Sequence, residues 1–224
     1  MTVQFVVAVE EEVLLAVRAR VAREVELEQQ WWQQRRVELG VQGLHGSRRR
    51  EALAELRRDR RRRREAGECL PTQRHLLTFF TRRTLAEQGW ARAYDPVPAG
   101  ERGMPGRPLG RSPLSDLSIG VGLTERLYVE LPSEVGEQVR RAAYWESAEA
   151  VRELLAWADR YGRGPAAEGA EGFAAELRQA MGLGPSAEAL RRREELRRRV
   201  LTTGDILRRA AQAAGGDLSR EILR

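Results

Sequence analysis

A mainly α-helical, modular fold follows from three observations. Residues 10–39 contain neither Pro nor Gly, and Val9, Val13, Val17, Val21 and Val25 recur every fourth position, which marks one side of a helix. Pro and Gly are gathered into a few stretches, chiefly DPVPAGERGMPGRPLGRSP at 95–113, and these cut the chain into helical segments. One stretch, RLYVEL at 126–131, alternates apolar and polar residues as a strand does. The resulting organisation is an N-terminal helical arm (1–67), a small helical segment (70–95), a Pro/Gly/Arg linker (96–122), a central unit of one short strand and two helices (123–163), and a C-terminal helical arm (164–224).

The composition narrows the possible functions. The 224 residues suffice for one ordinary domain or two small ones, and 42% hydrophobic content supports a modest core. A charged fraction of 32% with a formal net charge of +6 favours a polyanionic partner. All 39 basic residues are arginine, which excludes a P-loop lysine, a lysine Schiff base and a kinase-type catalytic lysine. The single cysteine, Cys69, rules out an internal disulfide and suits a reducing cytoplasm. No apolar run approaches the roughly 18 residues that span a bilayer, and the N-terminus lacks the basic start of a signal peptide. A cytoplasmic protein without membrane contact is expected.

Taken in order, TVQFVVAV at 2–9 reads either as a short strand or as the first turns of a helix. One long amphipathic helix follows over 10–39, with Leu14 and Trp32 widening its apolar stripe, and it packs against a neighbour rather than forming a strict coiled coil. The Trp31-Trp32 pair reads as half core and half surface. Gly40, Gly43 and Gly46 break the helix, and Ser47 is expected to cap the next. This second helix, residues 47–67, carries ten arginines against four acids, a balance of 10 − 4 = +6. Only Leu53 and Leu56 are large and apolar, so most of its surface stays in water. Within it Arg60, Arg61, Arg62, Arg63 and Arg64 form a run with no internal acid, and phosphate contact without sequence specificity is expected there. Residues 71–95 form a third helical piece that starts at Pro71, with Leu76, Leu77, Phe79, Phe80, Leu85 and Trp90 as a small core. In the linker, Gly106-Arg107-Pro108 followed by Arg111 resembles the core of an AT-hook, which implies Arg107 in the minor groove of A·T-rich DNA.

In the central unit Leu127, Val129 and Leu131 point one way and Arg126, Tyr128 and Glu130 the other, until Pro132 ends the strand. Ser133 caps a helix with Glu134 and Glu137 in its first turn, and Val135, Val139, Ala142 and Ala143 give it a buried face as far as about Trp145. Ser147 reads as a second cap, opening a helix with Ala148, Val151, Leu154, Leu155 and Ala158 on one side that stops at Gly162. So short a unit cannot bury a core alone and needs a partner.

RLYVELPSEV followed by two short helices resembles the ribbon-helix-helix family of DNA-binding proteins. The resemblance implies a homodimer in which two chains pair their strands into an antiparallel ribbon that enters the major groove. Arg126, Tyr128 and Glu130 would then take the base-reading positions, and the amide end of the second helix at Ser147 and Ala148 would hold a backbone phosphate. Residues 125–162 carry five arginines and eight acids, 5 − 8 = −3, so the phosphate affinity would have to come from the arginine-rich helix.

Towards the C-terminus, a short helix is expected over 172–183 around Phe173, Leu177 and Met181. Ser186 should cap a longer one with Leu190, Leu196, Val200 and Leu201 apolar, and the tail reads as two short amphipathic pieces. Arms of this kind assemble or recruit another protein. The catalytic inventory is thin. His45, His75 and Cys69 lack a third orienting group, and too few His and Cys residues stand at ligand spacing for a metal. No enzyme activity, cofactor or metal site is expected. The function expected is sequence-specific binding of double-stranded DNA, as in a transcriptional repressor or a plasmid partition or relaxosome accessory protein. The alternative is a helical scaffold whose arginine-rich helices meet RNA or an acidic partner. In the first, Arg126 and Tyr128 are exposed on a paired ribbon; in the second they are packed or incidental.

Overall fold

The computed structural model describes residues 1–98, 123–161, 181 and 184–221, and over these the chain is mainly helical with one two-stranded antiparallel sheet. Strand β1 (Thr2–Val9) pairs with β2 (Glu125–Pro132), Thr2 standing opposite Pro132 and Val9 opposite Glu125. Phe5, Val7 and Val9 of β1 and Leu127, Val129 and Leu131 of β2 are buried on the inner face, while Gln4, Val6, Arg126 and Tyr128 are exposed on the outer one. The ambiguous stretch 2–9 is thus a strand. Its β-branched and aromatic residues fit a pleated, half-buried surface once a partner strand lies beside them. The pairing expected between two chains is made within one.

Helix α1 (Glu11–Glu38) leads through a 3-10 turn (Val41–Gly43) into α2 (Gly46–Glu65), and Gly40 makes the reversal with φ of 60°. The two helices run antiparallel, because Glu28 meets Arg60 and Arg64 while Arg35 meets Asp59. The cap of α2 is His45 rather than Ser47, and its side chain makes no capping bond. In α3 (Gln73–Glu87) the Thr72 hydroxyl accepts from the His75 amide at 3.2 Å.

The expected break in the central unit is absent. Helix α4 (Ser133–Tyr161) continues through Ser147, which is fully buried in its middle. Nothing between residues 137 and 161 is Gly or Pro, and the hydroxyl that would have capped a new helix is taken by a distant backbone group. Helix α5 (Ala187–Arg199) is capped by Ser186, whose oxygen accepts from the Ala189 amide at 3.1 Å, as the sequence predicts. The tail is one helix, α6 (Thr203–Glu221), rather than two pieces. Gly215 does not end it; a Cβ there would lie 2.7 Å from Ala16 Cβ, so the glycine permits close approach of α6 to α1.

The larger core takes Phe5 and Val7 from β1, Leu14 and Val17 from α1, Leu77 and Phe80 from α3, Leu127, Val129 and Leu131 from β2, Val139 from α4, and Ile206 and Leu207 from α6. The segments set apart as arms therefore share a core with the central unit. A second cluster joins Val151 and Leu154 of α4 to Leu196 and Val200 around α5. The Trp157 indole donates to the Ala189 carbonyl at 3.1 Å, and Arg199 pairs with Glu149 at 2.8 Å across the same contact. The stretch 99–122, with Arg107, and the helix expected around Phe173 and Leu177 lie outside the described residues. No helix among the described residues is long and apolar enough to cross a membrane.

Candidate nucleic-acid interface

The strand alternation puts Arg126 and Tyr128 on the outer face of the ribbon, with Tyr128 66% exposed. Across the ladder stand Ala8 and Val6, and Gln4 faces Glu130. Glu130 is half-buried and accepts from Arg74 at 3.1 Å, while the Gln73 amide donates to the Tyr128 carbonyl at 2.6 Å. The first turn of α3 therefore lies along the edge of β2, and Arg74 joins the ribbon to the helices beside it.

Ser147 and Ala148 cannot hold a phosphate in the way expected. Both lie inside α4, where amides are spent on helical bonds and no helix N-terminus exists. The Ser147 hydroxyl donates to the Leu201 carbonyl at 2.9 Å and accepts from the Leu201 amide at 2.7 Å.

The arginine run of α2 is not unneutralised either. Arg60 clasps both oxygens of Glu28 at 2.7 and 2.9 Å, and Arg64 reaches the same carboxylate at 2.8 Å. The hydrogen bond from Arg60, aided by Arg64 and opposed by burial, holds the Glu28 carboxyl below the usual carboxylate range. Arg61 pairs with Glu65 at 3.0 Å, Arg62 with Asp59, and Arg63 with Glu68 at 3.3 Å. The guanidinium of Arg63 lies 4.6 Å from the centroid of Trp31 and that of Arg60 5.2 Å from Trp32, so the paired tryptophans support cations. The acids that balance the run flank it within α2 or just after it, or come from α1, whose antiparallel return no local pattern reveals.

The side of α2 turned towards α3 is different in kind. A cleft of about 1180 Å³ opens there, lined by Arg57, Arg60, Arg61 and Arg64 of α2 and by Arg74, Arg82 and Arg83 of α3. Among the described residues Glu65 is the one carboxylate in its lining, and Leu70, Phe79 and Pro132 make it partly apolar. Arg57 makes no ion pair among the described residues. Arg74, Arg82 and Arg83 pair with Glu130, Glu134 and Glu87 at the exposed rim. His75 also faces the cleft, with Nδ1 2.8 Å from the Thr72 hydroxyl. Burial first, then Arg64 and Arg74, push its pKa down. Cys69 is buried and its thiol is pushed up to about 11, chiefly by desolvation, so it is a poor nucleophile.

Sequence reasoning missed this cleft. Its two walls were nonetheless present as spacings, Arg57, Arg61 and Arg64 on one helix face and Arg74, Thr78 and Arg82 on another. That the faces oppose each other is a tertiary fact. No protein-family model matches the chain, and neither a similar curated protein nor a similar solved structure was found.

Proposed function

We propose that the protein binds duplex DNA by laying the outer face of the β1–β2 ribbon in the major groove. The observation that carries this reading is the exposure of Arg126 and Tyr128 on a two-stranded antiparallel ribbon, with Gln4 beside them. A major groove admits such a ribbon; Arg126 suits the O6 and N7 acceptors of guanine, and Gln4 the edge of adenine. Glu130 is engaged by Arg74 rather than offered to a base. Arg74, beside the ribbon, supplies a cation for an adjacent phosphate, which the acidic central unit lacks. A homodimer would place two ribbons on successive half-sites, as a repressor or a partition or relaxosome accessory protein requires. A second reading, a scaffold meeting RNA or an acidic partner, draws on the ion pairs that occupy Arg60, Arg61, Arg62, Arg63 and Arg64.

Titration of labelled genomic fragments and unrelated duplex at several salt concentrations tests the proposal. The Arg126→Ala/Tyr128→Ala variant should lose its preference among fragments while its salt slope changes by about one unit, the loss of one cationic contact. Preference unchanged in the variant, or no duplex binding by the parent protein, would overturn it.

A further inference from the structure

The cleft between α2 and α3 combines two features that a duplex backbone alone does not require. Its walls are cationic. Arg57 to Arg64 covers about 10 Å along α2 and Arg74 to Arg82 about 12 Å along α3, taking about 1.5 Å of rise per residue. Its floor is apolar and aromatic, with Phe79 partly exposed beside Leu70 and Pro132. Phe79 is held edge-on to Phe80 at 5.4 Å and rests against Gly67, where a Cβ would lie 2.1 Å from its ring. That glycine has φ of 75°, so backbone and packing together fix the aromatic wall.

The charge in the cleft is available to a ligand. Arg60 and Arg64 share the single carboxylate of Glu28. The Arg61–Glu65 pair is exposed, with side chains 82% and 64% accessible, and such pairs exchange readily for a phosphate. Arg74, Arg82 and Arg83 pair with carboxylates at the open rim. The volume, about 1180 Å³, exceeds the roughly 300–1,000 Å³ of an ordinary small-ligand pocket and leaves room for more than one nucleotide. In duplex DNA the bases are stacked away from the protein, so a duplex offers nothing to an aromatic floor. An unpaired strand offers both parts, a phosphate chain and splayed bases that stack on aromatic side chains.

The geometry points to the α2–α3 cleft as a binding site for an unpaired nucleic-acid strand, with its phosphates on the two arginine walls and a base on Phe79. Arg74 bonds Glu130 of the ribbon, so the strand site adjoins the face that meets the duplex, and the favoured ligand is a junction of duplex and single strand. The junction rests on the duplex reading above; the strand site does not.

Five ligands and three variants of the full chain test the inference. Labelled blunt duplex, the same duplex with an oligothymidine tail, and oligothymidine alone are titrated, and oligothymidine, a nucleoside triphosphate and inorganic tripolyphosphate serve as competitors. The tail should tighten binding roughly fivefold to a hundredfold for each base stacked. Phe79→Leu should abolish that gain and leave blunt-duplex affinity intact. Arg57→Ala, an exposed position whose change leaves the fold alone, should weaken the tail contribution and reduce its salt slope by about 0.7. Arg126→Ala/Tyr128→Ala should do the reverse, losing duplex preference and keeping oligothymidine binding. Equal affinity for tailed and blunt duplex overturns the inference. So does competition by tripolyphosphate as strong as by oligothymidine, or by the triphosphate alone, which would make the cleft a site for free anions or nucleotides. If oligothymidine and the tailed duplex bind and the blunt duplex does not, the strand site stands and the ribbon reading falls.

Discussion

Glu28 sits where α1 and α2 meet, 8% exposed, and takes charge-assisted bonds from both Arg60 and Arg64. One turn earlier Glu24 is buried too, accepting from Arg20 at 2.9 Å and from the Leu70 amide at 3.0 Å. In the sequence both glutamates look like members of a solvated charged face. Glu28 is buried because Arg60 and Arg64, themselves four apart, come to lie against it. Replacing Glu28 by Gln keeps the shape but removes the charge, and should cost roughly 1.5–3 kcal/mol, the usual worth of a bond to a charged group. The pH dependence has a definite sign. The folded carboxyl titrates below its ordinary, unfolded value, so its contribution is complete above that value and is lost as pH falls through the lower, folded one. Thermal melts of the parent and Glu28→Gln should therefore differ most near neutral pH and converge in acid. Equal melting temperatures at neutral pH would show that the carboxylate is not an anchor.

Among the elements, α4 shows how a residue can be read correctly as polar and wrongly as a boundary. Serine before an apolar stripe is a helix-start signal, yet Ser147 spends its hydroxyl on Leu201, in the connection between α5 and α6. Ser147→Ala should leave helix content unchanged, since Ala favours helix more than Ser. It should still lower stability by about 1–3 kcal/mol, because a buried amide and carbonyl lose their partner. Urea denaturation followed by circular dichroism measures this, and an unchanged midpoint would mean that the Leu201 groups find another partner. The same lesson holds in the tail, read as two pieces, where Gly215 lies inside α6 and serves the contact with Ala16 of α1. Two other local signals held. Ser186 caps α5, and the alternation at 126–131 sends Arg126 and Tyr128 outward.

Across the molecule, the first strand and the last described helix meet. Arg208 of α6, bonded to Asp205, donates to the Ala8 carbonyl of β1 at 3.3 Å, and Ile206, Leu207, Ala210, Ala211 and Ala214 fill the core beneath the ribbon. Burying each of the two large side chains is worth roughly 1.5–3 kcal/mol, against a total stability of about 5–15 kcal/mol for an ordinary domain. A chain ended after residue 202 should therefore lose its cooperative thermal transition and bind a hydrophobic dye; a sharp transition within a few degrees of the full chain would show that α6 is dispensable. Local patterning was enough for the mainly helical class, most helical segments, and the two faces of the strand at 126–131. Each of these depends on periodicity or capping among residues a few positions apart. Long-range contact was needed to make 2–9 a strand, to run α4 and α6 unbroken, to bring Glu28 against Arg60 and Arg64, and to set two arginine faces around a cleft. Each of those depends on a partner distant in the chain, whose contact outweighs a local preference worth about a kilocalorie per mole or less.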